Sequence, residues 1–411
     1  MAIPVDENTM PLTELLARLE HAVRQRDHNE AVRIERLILQ RLVIEARERE
    51  NVERRARELI AKLDEPIVEA RRLSLDAELG DRSRKEAVIY PVWFCTNRAP
   101  VGAGFTFTRH NTVSRGRVDV VIPSAHRFGE TGSPLWKRLY RFDLRDDRLR
   151  LQHVENQNRQ AFFDEIGGIM AAVRDSHDTP HALVFLHGFN VSFEDAAIRA
   201  AQIGWDLKVT GATSFFSWPS RGTVQAYPAD EATIEASEAA ITDFLVDFAA
   251  NCAAEQVHVI AHSMGNRGLL RALQRIAGNA ATRGSVKFDQ IFLAAPDVDR
   301  DLFLDLAALY SEHAKRATLY TSSADLAVHL SSRVHDAPRA GYFVPYTVAP
   351  GIDTIAVPDF DIDLLGHSYF AQAEALLYDI GDLMRHNGSP ETRQRIESSD
   401  HNGAKFWSLR R

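Results

Sequence analysis

The residues of this chain whose types and spacing suit chemistry centre on one serine. In Val257-His258-Val259-Ile260-Ala261-His262-Ser263-Met264-Gly265 an apolar run meets a tight small-residue motif and passes into a helix-forming stretch. This predicts strand, turn, helix. A serine carried on such a turn has a strained backbone, so the positions flanking it must be small; the general pattern is G-x-S-x-G. Here Ala261 takes the first glycine position and Gly265 the second. The turn would present the Ser263 hydroxyl at a helix N-terminus, where backbone N–H groups favour developing negative charge. The chemistry this suits is nucleophilic attack on an acyl carbon. The competing reading is that Ser263 only caps the helix.

A nucleophilic serine needs oxyanion donors, a base and an acid. His187-Gly188-Phe189-Asn190 directly follows the strand-like run 182–186. In esterases an HG-containing turn at this point supplies one oxyanion N–H. That donor is assigned to Phe189, and the second to Met264, the residue after the nucleophile. Gly188 would let the backbone approach substrate closely. His187 can be read as a second base or, preferably, as a structural histidine bracing the loop. The chain order in this chemistry is Ser, acid, His. Two acids qualify. Asp325 follows Leu319-Tyr320-Thr321-Ser322-Ser323-Ala324, and Asp297 follows Ala294-Ala295-Pro296. Asp325 is preferred because the acid usually follows the second of these strands. Asp297 is the alternative; otherwise Asp297 and Asp299 are loop or helix-capping residues. For the base, His367 in Gly366-His367-Ser368 follows the last strand, and of the 16 histidines it alone fits both order and topology. Trp218 and Arg221 follow another strand end and either line the substrate pocket or pack.

These residues require a regular scaffold. Strand-like runs at 182–186, 213–217, 257–261, 290–294, 317–320 and 353–357 alternate with helical stretches at 192–208, 229–250, 264–276, 300–313 and 368–384. The alternation predicts an α/β fold with a mostly parallel sheet and helices on both faces. Runs at 87–94 and 117–123 read as its opening strands. Residues 11–79 differ: they hold no glycine and are dense in Glu, Arg, Leu and Ala. They predict amphipathic helices in a helical or coiled-coil extension, and such exposed faces favour a homo-oligomer. The expected organisation is a helical extension over 1–84, a hydrolase domain over 85–386 and a loosely ordered polar tail over 387–411. A short connection after Pro296 leaves no room for a large cap there, and 327–351 is the expected specificity loop.

Composition narrows the class. The net charge of −8 over 411 residues argues against a nucleic-acid partner. No stretch approaches the ~18 apolar residues of a membrane span, and no signal peptide is evident, so a cytoplasmic location is expected. Cys95 and Cys252 are expected as buried free thiols. With no H-E-x-x-H pair, Walker loop or G-x-G-x-x-G, no metal or organic cofactor is implied.

Seven segments in order carry a family resemblance: HGFNVSFEDAAIRAAQIGWDL, FFSWPSRG, AHSMGNRGLL, LAAPDVD, RATLYTSSADLA, PGIDTI and LGHSYF. They resemble the bacterial α/β-hydrolase family of unknown function known as DUF900, often labelled esterase/lipase superfamily. The resemblance runs from about Val88 to Met384, starting with Val92-Trp93-Phe94-Cys95-Thr96-Asn97-Arg98. It implies the α/β-hydrolase fold and a hydrolase site at Ser263, Asp325 and His367, and it implies no particular substrate. The expected activity is a serine hydrolase cleaving small or medium carboxylic esters through an acyl-enzyme, as a carboxylesterase or a lipase. Alternatives are an amidase, peptidase or phospholipase of the same fold, or a non-catalytic scaffold that uses the helical arm.

Overall fold

A computed structural model of the chain describes residues 87–102, 104–130, 148–221, 226–322, 337–342, 346–357, 370–401 and 403–410. All of them lie within the unit Ser83–Arg411. The helical extension expected over 1–84 lies outside the described residues, as do Asp325 and His367.

The strands are β1 (Val88–Val101), β2 (Gly104–Ile122), β3 (Arg150–Asn156), β4 (His181–Leu186), β5 (Ala212–Ser217), β6 (Gln256–His262), β7 (Phe288–Ala294), β8 (Ala314–Ser322), β9 (Ile352–Val357), β10 (Ile396–His401) and β11 (Ala404–Leu409). They form one sheet in the order β10-β11-β9-β8-β7-β6-β4-β5-β1-β2-β3. From β1 through β9 the neighbours are parallel; β2 and β3 add an antiparallel edge.

Helices cover both faces, which is why the central strands are apolar throughout. Alternate strand residues feed two separate cores, as the two-residue period requires. Val184, Leu186, Val259, Ala261, Ile291 and Leu293 point to one core. It is closed by α1 (Arg159–Asp175), α3 (Tyr227–Ala236), α4 (Glu238–Asn251), α5 (Gly265–Gly278), α6 (Arg300–Leu306) and α7 (Ala308–His313). Leu183, Phe185, Ile260, Phe292 and Ala294 point to the other, closed by α2 (Phe193–Asp206) and α8 (Phe370–His386). This is the α/β-hydrolase arrangement of a mostly parallel sheet with helices packed on it.

Three local expectations change. The stretch 229–250 is two helices that meet at Ser237, whose Oγ donates to Thr233 O and accepts from Asn97 Nδ2 at 2.9 Å. The stretch 300–313 likewise divides at Ala307. The tail expected to be loosely ordered is a β-hairpin, β10 and β11, and β11 extends the sheet by pairing with β9. Its polar composition concealed the strands, because only Ile396, Phe406 and Leu409 are buried anchors. Cys95 and Cys252 are free and buried. No helix among the described residues is long and apolar enough to cross a membrane.

The topology also fixes where a site belongs. The chain passes from β4 to β5 on one side and then to β6 on the other side of β4. Loops leaving the C-terminal ends of β4 and β6 therefore diverge, which opens a crevice at this switch point. Those loops carry Gly188 and Ser263.

Candidate active site

Ser263 directly follows the strand β6 with φ of 48°, in the left-handed region that side-chain-bearing residues avoid. Such a conformation costs on the order of 1–3 kcal/mol and persists only where its surroundings hold it. Here they do. Ser263 N–H donates to Ala294 O at 2.9 Å, and Asp297 N–H donates to Ser263 O at 3.2 Å. The buried Asn266 amide donates to Ala261 O, Ser263 O and Ala294 O at 3.0, 3.1 and 3.3 Å. Gly265 must be glycine, since a Cβ there would lie 2.6 Å from the carbonyl oxygens of both Leu186 and His187. Met264 then stands as N-cap of α5, so the serine lies at a helix start.

The loop after β4 is laid against this turn. A Cβ on Gly188 would sit 2.9 Å from His262 Nδ1 and 3.1 Å from Ser263 Cβ. His187 braces the loop from behind. Its ring stacks on Trp218 at 5.1 Å, while the Trp218 indole donates to His187 O at 2.9 Å. Burial, reinforced by the charge of Arg98, pushes the His187 pKa down to about 3, so the ring is neutral. Nδ1–H then donates to Gly188 O at 2.7 Å, and Nε2 accepts from Ser217 Oγ at 3.3 Å.

The far end of the loop is held by a buried cation. Arg98 donates to Ser217 Oγ at 2.8 Å, Val191 O at 2.8 Å and Ser220 O at 3.1 Å. Burial lowers its pKa to about 9, which leaves it charged at neutral pH. Asp230, also buried, balances it and accepts from Ser220 Oγ at 2.6 Å and Arg221 N–H at 2.9 Å. Phe189 is half-buried, with its ring edge-on to Tyr227. Tyr227 O–H donates to Asp297 Oδ2 at 2.5 Å.

The structure thus brings together Ser263, Met264, Gly188 and Phe189. It places Asp297 behind the elbow with its Oδ1 3.4 Å from Arg267 and 3.5 Å from Arg339. Asp299 caps α6, accepting from the N–H groups of Asp301 and Leu302. Trp218 is fully buried, so its role is packing. Arg221 is exposed and contributes a backbone N–H to Asp230. Sequence reading missed Arg98, Asp230, Asn266 and Tyr227. The available signals were the arginine closing the segment 92–98 and the asparagine next to Gly265. Among the described residues no group of three or more His, Cys, Asp or Glu is placed to hold a metal ion.

The profile of the family described as alpha/beta hydrolase of unknown function (DUF900) matches residues 169–385. The chain belongs to this family. The match spans more than half of the chain and includes β4 to β9 with both loops of the site, so the protein is an α/β hydrolase. It begins within α1, later than the resemblance read from about Val88, which leaves Arg98 upstream of it. No curated protein matches the chain.

Proposed function

We propose that this α/β hydrolase is a serine hydrolase that cleaves carboxylic esters through an acyl-enzyme. The observation that carries the reading is the left-handed φ of 48° at Ser263, on the turn between β6 and α5, with the Gly188 loop against it. Strain at a braced turn serves no packing purpose, and the turn stands at the switch point of the sheet, where a nucleophile elbow would carry its serine.

In the proposed reaction His367 takes the Ser263 proton as Oγ bonds to the acyl carbon. The carbonyl π pair moves to oxygen, and that oxyanion accepts from the N–H groups of Phe189 and Met264. Collapse breaks the C–O bond to the leaving group, which takes the proton from His367 and departs as alcohol. Water, deprotonated by the same imidazole, attacks the acyl-enzyme; the acid leaves and Ser263 is reprotonated. Asp325 orients the imidazole. Asp297 is the weaker candidate for this role, since its carboxylate is engaged by Tyr227 and lies near two guanidinium groups.

The test is a panel of acyl esters, anilides and phospholipids turned over by wild type and Ser263→Ala. Ester turnover is expected in wild type and should fall by about 10³-fold or more in the variant. A fluorophosphonate probe should label Ser263. Full ester turnover by Ser263→Ala would sink the proposal. Preferential anilide or phospholipid cleavage would move the substrate class, and failure of the probe to label would favour the non-catalytic scaffold.

A further inference from the structure

Between α3, α5 and α6 lies a cavity of about 110 Å³. Its lining includes Arg267 and Arg271 of α5, Glu235 at the end of α3, Asp299 and Leu302 at α6, and Arg339. Arg339 comes from the segment 337–342, which is stitched to the β7–α6 connection. Ala340 N–H donates to Val298 O and Gly341 N–H to Pro296 O, both at 2.9 Å. Asp299 and Arg339 also form an isolated antiparallel bridge.

The side chain of Arg339 is the anomaly. It is only 4% exposed, yet among the described residues its Nε and Nη2 find no hydrogen-bond partner. Its one ionic neighbour among them is Asp297 Oδ1, 3.5 Å from Nε, beyond hydrogen-bonding length. Asp297 is already committed, with Tyr227 on one oxygen and Arg267 on the other side. A guanidinium carries five N–H donors, and a buried one is strongly disfavoured unless acceptors meet them.

The neighbouring cations differ in how far they are committed. Arg267 is ion-paired to Glu231 at 2.6 Å and donates to Asp297 O at 2.6 Å. Arg271, half-buried, donates to Gln274 Oε1 at 2.8 Å. Of the acids, Asp299 uses Oδ1 to cap α6, and Glu235 is exposed.

We propose that this cavity binds a carboxylate group, with the Arg339 fork as its main donor and Arg271 beside it. Arginine's planar donor pair matches a carboxylate bidentately. The volume admits a group of that size. Three arginines face four acids here, Asp297, Glu231, Asp299 and Glu235, so the site rests on the unpaired Nε and Nη2 of Arg339 rather than on net positive charge, and a monoanionic carboxylate is preferred over a phosphate dianion. The lining excludes Ser263 and Gly188, and the proposal does not rest on the ester chemistry.

Unfolding midpoints of the full chain, measured in rising sodium acetate, inorganic phosphate and sodium chloride at matched ionic strength, test it. Acetate should raise the midpoint saturably, more strongly than phosphate, and chloride should not. Arg339→Gln should weaken the acetate affinity by about tenfold or more, as one lost charged bidentate contact implies. Should that variant fail to fold, Arg271→Gln and the cavity-filling Leu302→Phe should each weaken acetate binding. The same titration in Gly188→Ala, which displaces the Phe189 N–H, should match wild type, which separates this site from acetate held at the proposed oxyanion hole. A response indistinguishable from chloride, a saturable response untouched by Arg339→Gln or by both Arg271→Gln and Leu302→Phe, or one lost in Gly188→Ala would overturn the site. Stronger binding of phosphate would overturn the carboxylate assignment.

Discussion

A Cβ atom added to Gly188 would lie 3.1 Å from the Cβ of Ser263, and 2.9 Å from Nδ1 of His262. The loop after β4 therefore approaches the elbow as closely as a backbone without a side chain can. Nothing in this approach is loose. His187 and Trp218 fix the loop at its start, and Arg98 with Asp230 fixes it at its end. Donors held in this way lose little reorganisation energy when charge develops beside them.

Gly188→Ala should therefore cost in rate as well as in stability. The added methyl forces the loop or His262 to move by a few tenths of an ångström, an overpacking cost of about 1–3 kcal/mol. The Phe189 N–H moves with the loop, and misplacing one oxyanion donor lowers kcat by roughly 10²-fold. Ester kinetics alongside urea unfolding would show this, and an unchanged kcat would remove Phe189 from the proposed oxyanion hole.

The strain at Ser263 has its own signature. With φ at 48° the residue pays a penalty that glycine does not. Both Ser263→Gly and Ser263→Ala remove the hydroxyl. Only the first relieves the backbone, so Ser263→Gly should be the more stable of the two by about 1 kcal/mol despite its freer unfolded chain. Chemical denaturation of the two variants compares them directly. Equal stabilities, or a more stable alanine variant, would show that the elbow is not strained.

Ser263 and Gly265 could be read from sequence because an elbow is a local object: strand, small residues and helix follow within ten positions. Gly188 was legible for the same reason, although its decisive neighbour is Ser263 itself. The supports were not. Arg98 finds Ser217, Ser220 and Val191 from 93 to 122 positions away, and no local pattern announces such contacts. The break at Ser237 was hidden because alanine and glutamate favour helix on both sides of it. The C-terminal hairpin was hidden because its strands carry few apolar residues. Its attachment to the sheet is partly ionic, which leads to the next expectation.

Asp379 of α8 is 2% exposed, and it joins the tail to the sheet. It accepts from Arg393 at both oxygens and from Tyr320 O–H of β8 at 2.7 Å. Asp379→Ala would leave the buried Arg393 without its main counter-charge, a loss of about 3–5 kcal/mol. Pairing it with Arg393→Met removes the stranded charge, so the double variant should be more stable than Asp379→Ala alone. A double-mutant cycle by urea unfolding measures this; additive losses would mean the two side chains act independently.

The pH dependence of stability follows from the buried histidines. Burial pushes the pKa of His258 down to about 3, helped by His181 and Lys315 nearby, and burial does the same to His187. Both rings are therefore neutral in the folded chain at pH 5, whereas in the unfolded chain, with pKa near 6.5, they are mostly protonated. The unfolded state binds more protons, so stability is complete above about pH 6.5 and is lost as pH falls toward 3. Each histidine contributes a slope of about 1.4 kcal/mol per pH unit near pH 5. His258→Asn removes one of these protons, together with the 2.9 Å contact between His258 Nε2 and His181 Nδ1. Between pH 5 and 6, before most carboxylates titrate, its unfolding free energy should fall less steeply than that of wild type by about that amount. Urea unfolding at half-unit steps across this window measures the slopes, and parallel curves for the two proteins would mean that His258 is not held neutral by the fold.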